Sequence, residues 1–194
     1  MKKLTMLLLA GVMFFGMNLH AQCYTKKINK FYTKSIRSED FKVKPEIVTL
    51  KKKIINKFSD AAIVSFVKAD NNYYMFFFIT RGNSSKFNIH DNNSIDLKFE
   101  NGETVSLMPS GNFKAAKLPL LDCNIGCYYN VTIEQLKKIV DNGNLNGFIL
   151  HISSDKEIPS AIVDKGGMQY FEYTINSENL KQNISEAAAC ILSN

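Results

Sequence analysis

Apolar and polar positions alternate with a period of two over much of the chain, and the period changes to helical spacing in only a few places. Residues 61–80, AAIVSFVKADNNYYMFFFIT, read as two strands around the turn residues Asp70, Asn71 and Asn72. The second strand sends Tyr73, Met75 and Phe77 to one face and Tyr74, Phe76 and Phe78 to the other. Apolar residues on both faces predict a central strand covered on both sides. In residues 94–109, Ile95, Leu97 and Phe99 alternate with polar residues, Asn101-Gly102 supplies a type I′ turn, and Val105 and Leu107 resume the pattern. CYYNVT and GFILHI are further strands, and AIVDKGGMQYFEYT is a hairpin around Lys165, Gly166 and Gly167.

Helical spacing is predicted at three points. Thr132 and Gln135 form a capping box ahead of Ile133, Leu136 and Val140, and Asn142-Gly143 ends that helix. Ser177 is placed to cap a C-terminal helix whose face is Leu180, Ile184, Ala187 and Ile191. Around residues 45–58, Ile47, Leu50, Ile54 and Phe58 suggest a helix after Pro45. Lys51 interrupts that face, and an edge strand guarded by lysines is the alternative. The pattern predicts an α+β fold, mainly antiparallel: a curved sheet or sandwich of about seven to eight strands with a mid-chain and a C-terminal helix.

The first 21 residues stand apart. Lys2 and Lys3 precede an uncharged run, LTMLLLAGVMFFGM, and Ala21 offers a cleavage site. The run is too short for a membrane span and reads as an export signal, leaving residues 22–194 as one domain with a periplasmic or extracellular address. Lipidation at Cys23 is a minor alternative, weakened because Gln22 is not small. Within the mature chain, charge is uneven. Residues 22–60 carry 11 Lys or Arg against 4 Asp or Glu, and the β-rich body, residues 61–194, carries 11 against 14. The basic segment, with Lys51, Lys52 and Lys53 at its end, is expected to meet an anionic envelope surface or to guard a sheet edge. Polysaccharide or another envelope protein are the other expected partners, and nucleic acid is not expected of an exported chain.

Export changes how the four cysteines read. Cys23, Cys123, Cys127 and Cys190 would pair in an oxidising compartment. Cys123 and Cys127 are one residue too far apart for a Cys-x-x-Cys redox centre, and only His90 and His151 are available to complete a zinc site. A structural staple is therefore expected, closing Cys123 to Cys127 across a short turn and worth about 2 kcal/mol. Cys23 with Cys190 would tie the ends of the domain together, worth about 5 kcal/mol before strain.

The AQ with which the export signal ends, the stretch LKFENGETVSL at residues 97–107, and YYNVTIEQLKKI followed by GFILHI together resemble small exported Bacteroidetes proteins without an assigned activity. The resemblance covers about the last hundred residues. It implies export and a β-rich domain, and it carries no catalytic residue across.

Catalytic signatures are missing: there is no G-x-S-x-G, H-E-x-x-H, P-loop or Rossmann glycine run. Residues 91–96 imitate a calcium loop, but Ile95 stands where an oxygen ligand is needed, so a polar turn is expected. His90 and His151 read as a surface and a sheet histidine. No cofactor or metal is expected. The pattern points to a non-enzymatic exported binding or envelope-interaction module. The alternative is a small hydrolase or thiol enzyme whose residues meet only in the fold.

Overall fold

The structure, a computed structural model, describes residues 46–56, 60–82, 86–118 and 121–194, with the backbone alone of residues 56, 116–118 and 121–124. The expected export signal, Cys23 and the basic residues from Lys26 to Lys44 lie outside the described residues, as does Lys57. The fold is α+β and mostly antiparallel. Among the described residues it has thirteen strands, of which β1 (Ile47–Val48), β5 (Asn88–Ile89), β8 (Phe113–Lys114), β9 (Ala116–Leu118) and β12 (Ile162–Val163) are minor. The longer ones are β2 (Lys52–Asn56), β3 (Asp60–Ala69), β4 (Asn72–Arg81), β6 (Ile95–Phe99), β7 (Thr104–Leu107), β10 (Leu121–Val131), β11 (Leu145–Ile152) and β13 (Gln169–Thr174).

One sheet runs β1-β3-β4-β10-β9, with β2 also on β3, and the second runs β12-β13-β11-β6-β7. Residues 108–110 join them, because the Asn130 amide donates to the Met108 carbonyl and the Ser110 amide to that of Tyr128. Phe66, Met75, Phe77, Ile125, Cys127 and Tyr129 of the first sheet share one buried core with Ile95, Leu97, Phe148, Leu150, Phe171 and Tyr173 of the second. Phe77 and Phe148 meet edge to face at 5.4 Å. Strand β4 is central and buried over most of its length, as its two apolar faces require.

The β3–β4 turn is the two-residue Asp70-Asn71, both at positive φ (49° and 62°), which is the type I′ geometry suited to strand twist. The β6–β7 turn differs from expectation. Gly102 is at φ +87°, its amide donates to the Phe99 carbonyl, and the Phe99 amide donates to Glu103. That is a three-residue type I turn closed by a glycine bulge.

Among the described residues, three helices complete the fold: α1 (Ile133–Asn142), α2 (Glu178–Lys181) and α3 (Asn183–Leu192). The Thr132–Gln135 capping box is present in both directions. The buried face of α1 is Leu136 and Ile139, while Ile133 is exposed. The C-terminal helix is split at Gln182, and Ser177 makes no side-chain cap. Of the predicted face, Ile184, Ala187 and Ile191 enter the core, joined by Ala188, while Leu180 is only partly buried against it. Among the described residues, no helix is long and apolar enough to cross a membrane.

Two expectations are overturned. The segment before residue 57 is β1 and β2, paired on the edge of β3 rather than a helix, and Ile54 and Ile55 are both buried where the β2–β3 register shifts between Lys53 and Ile55. The CNIGC stretch is not a turn but the middle of β10, paired with β4 from Cys123↔Arg81 to Val131↔Tyr73. Four residues of strand separate the Cys123 and Cys127 Cα atoms by about 13 Å, beyond the roughly 7 Å a disulfide spans. Cys127 is free and fully buried, and its thiol faces the Phe77 carbonyl at 3.7 Å. The staple is therefore absent for a geometric reason.

Two predictions follow from these packings. A Cβ on Gly147 would collide with the backbone carbonyl of Tyr173, so Gly147→Ala should part β11 from β13 and lower stability by about 1–3 kcal/mol, read by urea unfolding. Burial pushes the Cys127 thiol from 9.0 up to about 12. An acid whose folded pKa is raised contributes stability below its unfolded pKa and loses it above. Wild type should accordingly lose stability between pH 9.0 and about 12 more steeply than Cys127→Ala, by up to about 1.4 kcal/mol per pH unit. Equal slopes would place the thiol in water.

Candidate binding cleft

Three groups of side chains converge in the fold, and they differ in what they leave open. The first lies between the sheets. Arg81, at the end of β4, donates from Nε to Asp60 Oδ2 at 3.2 Å and from Nη2 to Ser160 Oγ at 3.2 Å. Its guanidinium lies 3.6 Å from the centroid of the Phe171 ring, and Tyr173 donates to Asp60 Oδ2 at 3.0 Å. Arg81 and Asp60 are 8% and 9% exposed. Arg81 Nη1 is buried without a hydrogen-bond partner. Ser160 sits at φ +77°, a conformation that costs a serine free energy. The group clasps β3 and β4 to β13 and to the loop before β12.

The second group is on β6 and β11. Asp96 accepts from Ser94 Oγ at 3.1 Å and meets His151 Nε2 at 3.1 Å, with Tyr170 5.7 Å from the imidazole. Serine, carboxylate and histidine are thus together, but the carboxylate stands between the other two. In nucleophilic catalysis the imidazole must stand next to the hydroxyl to take its proton. The remaining nitrogen, Nδ1, is buried without a partner. His151 is a sheet histidine, and His90 is on the surface, as expected. The calcium-like stretch is a polar turn: Asn93 is buried and accepts from the His90 amide and from Ser153 Oγ, both at 2.8 Å. No group of three potential metal ligands exists among the described residues.

The third group is a cleft. Its lining comes from the β3–β4 turn (Asn71, Asn72, Tyr73) and from the β10–α1 junction (Asn130, Val131, Thr132, Ile133), around a volume of about 260 Å³. The Val131↔Tyr73 pairing brings together two stretches nearly sixty residues apart in sequence. Each wall is held. Asn72 Nδ2 donates to the Asp70 carbonyl at 3.1 Å, and Asn130 Nδ2 donates to the Pro109 carbonyl at 3.3 Å. Thr132 Oγ1 accepts from the Gln135 amide, and its hydroxyl also bonds the Glu134 carboxylate, whose pKa is lowered first by its own backbone amide and then by this bond. Lys68 lies with its ammonium 5.9 Å from the centroid of the Tyr73 ring. The lining holds no carboxylate, imidazole, thiol or ammonium group.

The expected site residues are not gathered at any of these places. Lys51 precedes β2, and Lys52 and Lys53 open it, where Lys52 pairs with Glu186 at 2.8 Å and the Lys53 carbonyl accepts from Asn183 at 2.6 Å. Burial lowers the Lys51 pKa. The triple-lysine run is thus partly spent on holding α3 to the sheet edge. Cys190 is disulfide-bonded to a cysteine whose side chain lies outside the described residues.

Sequence reasoning passed over Asn71, Asn72, Tyr73, Asn130 and Thr132 as ligand contacts. It saw them as turn, strand and cap, and the signal that joins them is the register of β10 on β4. Comparison with protein-family models, curated proteins and solved structures returns no match.

The clasp gives a prediction. Arg81→Ala leaves the Asp60 carboxylate buried without its cation and should cost about 3–5 kcal/mol, whereas Arg81→Met with Asp60→Asn should restore most of it. Denaturant unfolding of the three proteins decides it.

Proposed function

We propose that this chain is an exported, non-enzymatic binding module of the cell envelope that holds its ligand in the cleft between the β3–β4 turn and the start of α1. The observation that carries the reading is the character of the lining. Three amides, a phenol and a hydroxyl can hold a molecule, but none exchanges protons readily near neutral pH. The charged and imidazole groups of the Asp60–Arg81 and Asp96–His151 pairs are engaged with each other and do not line the cleft.

Export is supported by the basic and apolar N-terminal run and by the disulfide at Cys190, a bond favoured in oxidising compartments. The partner of Cys190 in this reading is Cys23. Cys127 is free, and Cys123 sits on β10, while α3 packs on β2, β3 and α1. Mass spectrometry of alkylated, unreduced, denatured protein should therefore find Cys123 and Cys127 labelled and Cys23 bridged to Cys190. Labelling of Cys190 would refute the pairing.

The functional test is a set of amide spectra of the 15N-labelled protein, recorded with separated lipid, polysaccharide and protein fractions of a bacterial envelope. One fraction should shift the amides of residues 71–73 and 130–133, and chromogenic ester, amide, glycoside and phosphoester substrates should not turn over. Turnover abolished by His151→Ala or Ser94→Ala would instead establish the hydrolase alternative.

A further inference from the structure

We infer that the cleft takes a neutral sugar ring presented by a polysaccharide, an assignment that rests on the binding reading above. The lining fits that chemistry in three respects. A pyranose has one apolar C–H face and a rim of hydroxyls that both donate and accept. Tyr73 offers an aromatic surface for the face. Asn71 carries a planar amide with a donor and an acceptor side by side, Asn72 and Asn130 each keep an acceptor and a second amide proton beside the bonds they already make, and Thr132 Oγ1 keeps an acceptor lone pair.

Shape and charge narrow the class. A volume of about 260 Å³ falls below the roughly 300–1,000 Å³ of drug-sized pockets and admits one ring rather than an extended apolar ligand. No charged side chain lines the cleft, and the cation beside it, Lys68, has its ammonium over the Tyr73 ring at 5.9 Å. The walls are already set. Asn71 is fixed at φ +62° in the two-residue turn, and its side chain makes no hydrogen bond among the described residues. Thr132 is held by the capping box, and the Asn130 amide is bonded to Met108. Preorganised walls lower the ordering cost of binding, which matters for a ligand with few contacts. A single ring in so open a site should bind at about the millimolar level, and a polymer should gain by offering many copies.

The experiment titrates the 15N-labelled protein with glucose, galactose, mannose and N-acetylglucosamine, with neutral polymers of each, and with an acidic uronate polymer. A neutral sugar should shift amides 71–73 and 130–133, with its polymer binding more tightly. Asn71→Gly keeps the positive-φ turn while deleting the amide, and should weaken binding about tenfold without disturbing the rest of the spectrum. Tyr73→Ala should abolish it, with Tyr73→Phe retaining most of it. Binding of the uronate polymer alone, lost in Lys68→Gln, would overturn the neutral assignment. If no sugar moves the cleft amides but a lipid or protein fraction does, the sugar assignment fails while the binding reading stands. If nothing moves them, both fail.

Discussion

The pairing of β10 with β4 is the constraint on which the rest of this fold depends. Nine consecutive residue pairs, from Cys123↔Arg81 to Val131↔Tyr73, hold an eleven-residue strand straight through the middle of one sheet. Because it is extended, Cys123 and Cys127 cannot meet. Because side chains alternate, Ile125, Cys127 and Tyr129 all turn into the core, where burial keeps the thiol protonated. The same strand accepts residues 108–110 along its other edge, so it also joins the two sheets. It then delivers Thr132 as the cap of α1 beside Tyr73. A slip of one residue would turn Cys127 and Tyr129 away from the inter-sheet core and take the cleft apart.

The inter-sheet clasp works at the opposite end of the same ladder. Arg81 pairs with Cys123 and with Asp60 in register, and its guanidinium reaches across to Ser160 and the Phe171 face. An ion pair this buried contributes little net stability against an apolar substitute, but losing one member leaves a charge without solvent or partner. Its worth is positional: it sets how β13 lies over β3 and β4. The strain at Ser160 and the unpartnered Arg81 Nη1 are costs of that placement. Similar charges exposed to water do lighter work. Lys181 bonds Glu100 and Glu178, which raises its own pKa and lowers that of Glu100, and so ties α2 to the β6–β7 turn.

Local chemistry was legible in the sequence wherever the backbone itself demanded particular residues. Asp70-Asn71 tolerates positive φ, Thr132 and Gln135 cap reciprocally, and the two apolar faces of β4 require cover on both sides. What misled were stretches where tertiary pairing overruled local preference. Asp122, Asn124 and Gly126 look like a turn, yet an aromatic-rich neighbour in β4 draws them into strand. Ile47, Leu50 and Ile54 fit a helix pattern, but pairing with β3 draws both Ile47 and Ile54 into strand. The cleft was beyond local reading altogether, since neither Asn71-Asn72-Tyr73 nor Asn130-Val131-Thr132 makes a site alone.

The measurement that bears most directly on this account is the network of cross-strand proton contacts between β4 and β10 in solution, read together with the Cβ shift of Cys127. The account predicts contacts between Met75 and Tyr129, Phe77 and Cys127, and Tyr73 and Val131, with Cys127 in the reduced form. Contacts displaced by one residue, or a Cys127 shift of the oxidised form, would contradict it and with it the position of the cleft.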